Sequence, residues 1–82
     1  MQQYQPLLAL KYSCLKNLGM LDLKAGDNAK AFDFFLEALQ LDDTDTALLY
    51  KVGCLAEKLD KFDVATAAFY EVHFFIKLPV KN

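Results

Sequence analysis

The side chains that could carry out chemistry are few in this chain. His73 is its single histidine, and Cys14 and Cys54 are its two cysteines. One imidazole and two thiols could in principle bind zinc, but zinc sites use closely spaced ligand pairs, and the sequence has no CxxC pair. We interpret His73 as an exposed helix residue and the cysteines as small residues of a core or a binding wall. The sequence thus predicts no metal and no cofactor.

The acidic residues could form a calcium site or supply catalytic carboxylates. Asp42, Asp43 and Asp45 are clustered, but a calcium loop needs carboxylates that alternate through about a dozen residues around a glycine, and this run lacks them. Their position between two apolar segments instead predicts capping of a helix. Glu37 and Glu71 occupy the same place in two similar segments, as structural residues would. We therefore predict that the chain is not an enzyme.

The composition limits the partners that the chain could bind. Its 82 residues make at most one small domain, and its apolar share of 55% lies slightly above that of ordinary soluble domains. The net charge is −2 and all nine basic residues are lysine, so the arginines that favour bidentate contacts with phosphates and bases are absent. We expect no direct nucleic-acid binding. Because there is neither a signal peptide nor an apolar run of about 20 residues, we expect an intracellular protein without a membrane segment.

A repeat of 34 residues organises the sequence. Such a period, with small residues and an aromatic residue at fixed offsets, is typical of helix–turn–helix units that stack on one another. The sequence therefore predicts two copies of one helical unit. The shift superimposes five identical pairs, namely Gly19 and Gly53, Lys24 and Lys58, Ala31 and Ala65, Phe35 and Phe69, and Glu37 and Glu71.

Apolar periodicity predicts four helices, two in each repeat. Pro6 suits the first turn of the first helix, and Pro79 should stop the fourth. Gly26 is expected to end the first helix with a positive φ and Asp27 to cap the second. Asp60, which tolerates a positive φ better than most residues, takes the place of Gly26 in the second repeat. The predicted helices cover residues 7–25, 28–41, 46–59 and 62–77.

Small residues predict close contacts within each pair of helices. Gly19 is expected to pack against Ala31, and Gly53 against Ala65, because helices approach closely only where bulky side chains are absent. The apolar residues of the first helix also form a stripe at helical spacing. That stripe consists of Leu7, Cys14, Leu18, Leu21 and Ala25.

The expected architecture is all-α, with two tandem hairpins. The first covers residues 7–45 and the second residues 46–79, between a flexible N-terminal end at residues 1–6 and a C-terminal tail at residues 80–82. Since repeats of this kind are stable in arrays of about three, we expect neighbouring repeats or self-association to complete the structure.

Residues 12–79 resemble two tandem tetratricopeptide repeats. The glycine, alanine and phenylalanine positions of that family match in both copies, whereas leucine replaces a frequent tryptophan and the proline is shifted by two places to Pro79. The resemblance implies a right-handed α-solenoid that binds other proteins. The family positions fall on Leu15, Leu18, Gly19, Asp22, Ala31, Phe35, Ala38 and Asp43, and then on Leu49, Val52, Gly53, Ala56, Ala65, Phe69, Val72 and Lys77.

Short segments carry a narrower resemblance. Residues 10–13, 16–18, 36–38, 41–42, 44–45 and 50–53 are similar to the N-terminal repeats of the cabin-type calcineurin-binding proteins, large nuclear proteins that accompany the HIRA histone chaperone. This resemblance implies a scaffold module of a nuclear complex for nucleosome assembly. Without it, the expected compartment is the cytoplasm.

In the tetratricopeptide family, the first helix of each pair lines a concave wall that binds extended partners. The resemblance places this wall on the first and third helices, where lysines would favour an acidic partner and Met20 and Tyr50 would add apolar contacts. A plain solvated helix face is the alternative interpretation. The candidate wall residues are Ser13, Lys16, Asn17, Met20, Leu23, Lys24, Ala47, Tyr50, Lys51, Cys54, Glu57 and Lys58.

Two further functions remain open. Some family members hold the C-terminal carboxylate of heat-shock chaperones with lysines and asparagines. Lys16 matches the first of these lysines, whereas Met20 and Lys51 stand where asparagines are expected. The chain could therefore be a co-chaperone adaptor for acidic C-terminal peptides. It could also be a spacer attached to an enzyme domain that it does not itself contain.

Overall fold

The computed structural model describes the backbone of residues 5–77 and the side chains of residues 6–75. This part of the chain is all-α, as predicted, with four helices and no strand. The helices are α1 (Gln5–Lys24), α2 (Asn28–Leu41), α3 (Thr46–Lys58) and α4 (Phe62–Lys77). The predicted flexible end therefore includes two residues that are helical, while residues 1–4, the stop at Pro79 and the tail at residues 80–82 lie outside the described residues.

The two turns within the repeats have the same backbone geometry. Gly26 has φ +87° and Asp60 has φ +62°, so both adopt the left-handed conformation that was predicted for them. Each is followed by a residue whose N–H reaches back into the last turn: Asp27 donates to the Asp22 carbonyl and Lys61 to the Ala56 carbonyl, both at 2.8 Å. This pattern satisfies carbonyls that a helix end otherwise leaves unpaired. The turn geometry thus repeats with the same 34-residue spacing as the sequence.

Aspartates begin α2 and α3. The Asp27 carboxylate accepts a hydrogen bond from the Lys30 N–H at 3.1 Å, and the Asp45 carboxylate accepts one from the Leu48 N–H at 3.1 Å. Both contacts fix the first turn of a helix by pairing one of its free N–H groups. The acidic run before α3 is therefore a capping segment, as its position predicted.

A glycine and a phenylalanine define the contact inside each helical pair. A Cβ atom on Gly19 would lie 2.6 Å from Cδ1 of Phe35, and one on Gly53 would lie 2.5 Å from Cε1 of Phe69. Each glycine thus provides the space that an aromatic ring occupies. The predicted contacts of these glycines with Ala31 and Ala65 need correction, because the ring one helical turn further along is the nearest side chain. The alanines are buried elsewhere in the same interfaces.

The two pairs meet through α2 and α3. Among the described helices, α1 contacts α2, α3 contacts α4, and α2 contacts α3, with no other helix pair in contact. Phe35 and Val52 are the largest fully buried side chains, one on each side of this junction. The core therefore follows the order of the helices instead of closing into a bundle.

α1 presents to the core a different face from the predicted stripe. Leu7, Cys14, Leu18 and Leu21 are exposed, whereas Leu15 is buried. The periodicity identified an apolar face correctly but could not indicate whether a neighbouring helix covers it. Since α1 contacts α2 alone among the described helices, its second apolar face is free.

Candidate functional site

A network of three side chains links α1 to the start of α3. Asp45 Oδ2 accepts hydrogen bonds from the Tyr12 hydroxyl at 2.8 Å and from Lys16 Nζ at 2.9 Å. Its other oxygen, Oδ1, caps α3 through Leu48 N–H. Lys16 Nζ also lies 5.2 Å from the centre of the Tyr12 ring, within range of a cation–π contact. One carboxylate thus both begins α3 and holds it against α1.

This network shifts the titration of two of its members. The hydrogen bond from Lys16, followed by those from Tyr12 and the Leu48 N–H, lowers the pKa of Asp45 to about 2 despite partial burial. Burial, reinforced by the hydrogen bond to the ionised Asp45, raises the pKa of the Tyr12 hydroxyl. Tyr12 is therefore a neutral donor at physiological pH, and Asp45 is ionised. The groups are placed to hold one another and not to exchange a proton.

A cleft of about 370 Å³ lies beside the network, between α1 and the segment that joins α2 to α3. Its Asp42 carboxylate accepts bonds from the Thr44 N–H and hydroxyl, which lower the pKa of Asp42. The wall of the cleft is half apolar and half polar, and it includes one predicted wall residue, Ser13. The lining residues are Leu8, Ala9, Tyr12, Ser13, Leu41 and Asp42.

The predicted wall residues differ in their exposure. Lys16, Met20, Lys51 and Cys54 are half-buried, and Met20 packs against the core. Tyr50 is exposed, with its ring centre 5.7 Å from that of Phe69, so the aromatic surface of α3 is supported from α4. The predicted wall residues that are exposed to solvent are Ser13, Asn17, Lys24, Tyr50, Glu57 and Lys58.

Lys16 is the predicted wall residue with the most defined partner. It forms an ion pair with Asp45, so a ligand carboxylate would have to compete with a carboxylate already in place. The sequence predicted Asp45 as a cap but missed its contacts with Tyr12 and Lys16, which lie 33 and 29 residues away. No local signal gives such a contact, because it depends on how α1 and α3 are placed by the intervening helix.

The described residues contain no group of three His, Cys, Asp or Glu side chains placed to bind a metal ion. Cys14 is an exposed thiol and Cys54 a half-buried one, and neither forms a disulfide. Within residues 5–77, none of the helices combines the length and apolar character needed to cross a membrane.

A second groove lies on the opposite side of the junction, with a volume of about 320 Å³. Leu36 and Leu39 of α2 form one side, α3 the floor, and α4 the other side. Because α2 and α4 do not touch, the groove remains open between them. Its lining is mainly apolar, with Glu71 at the edge.

Comparison with known protein families finds no family model that matches this chain, and comparison with solved structures finds no significant match. The class that the structure defines is an all-α chain of two similar helical pairs. Its function has to be inferred from its own surfaces.

Proposed function

We propose that this chain is a non-enzymatic protein–protein interaction module of the tetratricopeptide type, with its partner-binding wall on α1 and α3. The observation that carries the proposal is the recurrence of the same contacts after 34 residues: a glycine against a phenylalanine ring, and a left-handed residue at the turn. Chains built from such units bury their faces against neighbours and use the remaining surface to bind other proteins.

The chemistry of the wall favours an acidic, partly apolar partner. Lys24 and Lys58 are exposed at equivalent positions of the two repeats, and the Tyr50 ring is exposed between them in sequence. Lysines attract carboxylates over a distance set by the salt concentration, while an exposed ring supplies apolar contact area. An extended segment with alternating acidic and apolar residues fits this surface.

The narrower resemblance specifies a biological setting for the module. On that basis, we propose that it belongs to a scaffold subunit of a nuclear histone-chaperone complex, where its partner is another protein of the complex. A role as a co-chaperone adaptor receives less support, because Lys16 is engaged by Asp45 at 2.9 Å.

The wall can be tested by titrating a fluorescent poly-glutamate peptide with the folded chain. We expect submillimolar binding that weakens as salt is added, because the attraction between exposed charges is screened. Lys51→Glu together with Lys58→Glu should weaken binding by roughly tenfold or more, since two attractive charges become repulsive.

Lys30→Glu is the matched control, because Lys30 is also exposed but lies on α2, away from the wall. Binding should survive this substitution, and a poly-lysine peptide should not bind. Equal loss of binding in the two sets of lysine variants, or no binding by the unmodified chain, would contradict a wall on α1 and α3.

A further inference from the structure

The exposed apolar stripe of α1 corresponds, through the repeat, to a buried face of α3. Leu18 is 43% exposed, whereas Val52, its equivalent 34 residues later, is 1% exposed. Leu21 is 63% exposed and its equivalent, Leu55, is 3% exposed. Cys14 is likewise exposed where Leu48 is buried. The difference has a simple cause: α3 has α2 on this side, and α1 has no described helix there.

The outer face of α4 has the complementary history. Phe32, Leu36 and Leu39 of α2 are buried or half-buried. Their equivalents on α4, which are Thr66, Tyr70 and His73, are all exposed, and Tyr70 is 68% exposed. α4 therefore lacks the neighbour that α3 provides for α2. The chain has one unfilled helix position at each of its two ends.

We propose that a second copy of this chain fills these positions, with α4 of one copy packed on the α1 stripe of the next in the manner of the internal α2–α3 contact. The inference rests on the proposed repeat module and names the surface through which it associates. Because the two faces are different, the contact is head-to-tail and each added copy exposes a new free face. Association of this kind produces short stacks whose length grows with concentration.

The repeat also gives the register of the contact. Lys11 of α1 occupies the position of Asp45, and Tyr50 of α3 occupies that of Lys16. Where the internal junction has an ion pair, the junction between copies would bring the Lys11 ammonium near the Tyr50 ring, a favourable cation–π pairing. Thr66 and His73 are more polar than their α2 equivalents, so the contact between copies is weaker than the internal one.

Two single variants test the faces separately by sedimentation velocity from about 10 μM to about 1 mM. Leu18→Glu removes the α1 face and Tyr70→Glu removes the α4 face, so each variant alone should remain monomeric. Mixed together, they should form a 1:1 dimer and no larger species, because each supplies the face that the other lacks. Leu8→Glu is the matched control: it is the same substitution on the same helix at a residue with 48% exposure, outside the stripe, and its association should equal that of the unmodified chain.

Alkylation of the two thiols gives an independent measurement. Cys14 should react more slowly as the concentration of the chain rises, because in the stack it takes the buried position of Leu48. Cys54 lies outside the contact and serves as the internal reference. A charge exchange tests the register: Lys11→Asp combined with Tyr50→Lys recreates the Asp45–Lys16 pair between copies and should restore association that either single substitution weakens.

The outcomes separate this inference from the proposed function. A chain that stays monomeric up to about 1 mM with unchanged Cys14 reactivity overturns the stacking contact, whatever the poly-glutamate titration shows. Association that Leu18→Glu abolishes but that the mixed variants do not restore would indicate contact between like faces, and this also overturns the head-to-tail arrangement. A monomeric chain that still binds poly-glutamate through its wall would leave the proposed function standing alone.

Discussion

At the scale of single residues, Asp45 has the largest number of defined contacts. Its carboxylate accepts hydrogen bonds from Tyr12, Lys16 and the first turn of α3, whereas Asp27 only caps α2. The two aspartates therefore form a natural comparison between a cap and a cap that also joins two helices.

Substitution of these aspartates should separate the two roles. Asp27→Ala loses a cap and should reduce the free energy of unfolding by about 1 kcal/mol. Asp45→Ala also loses a hydrogen bond and an ion pair and should cost about 2 kcal/mol. Asp45→Asn keeps a capping oxygen and should fall between the unmodified chain and Asp45→Ala. Urea denaturation measures all three, and equal losses for Asp27→Ala and Asp45→Ala would show that the contacts with Tyr12 and Lys16 do not stabilise the fold.

The pKa of Asp45 gives a stability that depends on pH. Its pKa is lowered from 3.8 to about 2 in the folded chain, so the folded state favours the ionised carboxylate. The stabilisation is complete above about pH 4 and is lost as the pH falls towards 2. Since Lys16 is partly exposed and therefore screened, we expect about 1 kcal/mol instead of the roughly 2 kcal/mol of an unscreened pair. The difference in unfolding free energy between the unmodified chain and Asp45→Asn should shrink over this range, and a constant difference would contradict the assignment.

At the scale of the elements, the paired helices depend on two glycines that are needed for space and one that is needed for conformation. Gly19 and Gly53 adjoin the rings of Phe35 and Phe69, whereas nothing lies within 4 Å of a Cβ placed on Gly26, which has φ +87°. The same substitution to alanine thus probes packing at two positions and backbone strain at the third.

Gly19→Ala should destabilise the chain by about 1–2 kcal/mol, because the methyl group displaces the Phe35 ring by more than the gain in helix propensity offsets. Gly26→Ala should cost about 1 kcal/mol through its left-handed backbone. The double variant Gly19→Ala, Phe35→Leu should recover part of the first loss, while Phe35→Leu added to Gly26→Ala should only make matters worse. Thermal unfolding would show this, and the absence of any rescue would indicate that the ring is not the obstacle.

The turn between α3 and α4 can be improved. Asp60 adopts φ +62°, a conformation that costs an L residue free energy and glycine almost none. Asp60→Gly should therefore raise the free energy of unfolding by about 0.5–1 kcal/mol, and the converse Gly26→Asp should lower it by a similar amount. Opposite signs in the two melting experiments are the expected result, and a loss of stability in both would mean that the Asp60 side chain has a structural role.

The sequence predicted the helices and the turns well, because their signals are local. The bounds of α2 and α4, the caps at Asp27 and Asp45 and the left-handed residues at 26 and 60 all follow from neighbouring residues. The contacts of the glycines were misplaced by one helical turn, since side-chain length decides which residue reaches across an interface. The face of α1 was misassigned because an apolar stripe indicates burial without naming the partner. The wall on α1 and α3 stays a prediction.

At the scale of the whole molecule, the two helical pairs are joined along a single line. Only α2 and α3 are in contact between the pairs in the described part of the chain, with Asp45 fastening one side and an open apolar groove on the other. Such a joint resists sliding, because Phe35 and Val52 are fully enclosed, but it bends about the α2–α3 line at small cost.

This joint gives the molecule a direction of mechanical compliance. Bending that widens the side held by Asp45 has to stretch three hydrogen bonds, while bending that closes the opposite groove buries apolar surface and meets less resistance. The elastic response is therefore unequal in the two senses, so a pull along the chain would curl it preferentially towards the groove. In a stack of copies the small angle at every joint would add up, and the protonation state of Asp45 would set the curvature of the whole assembly.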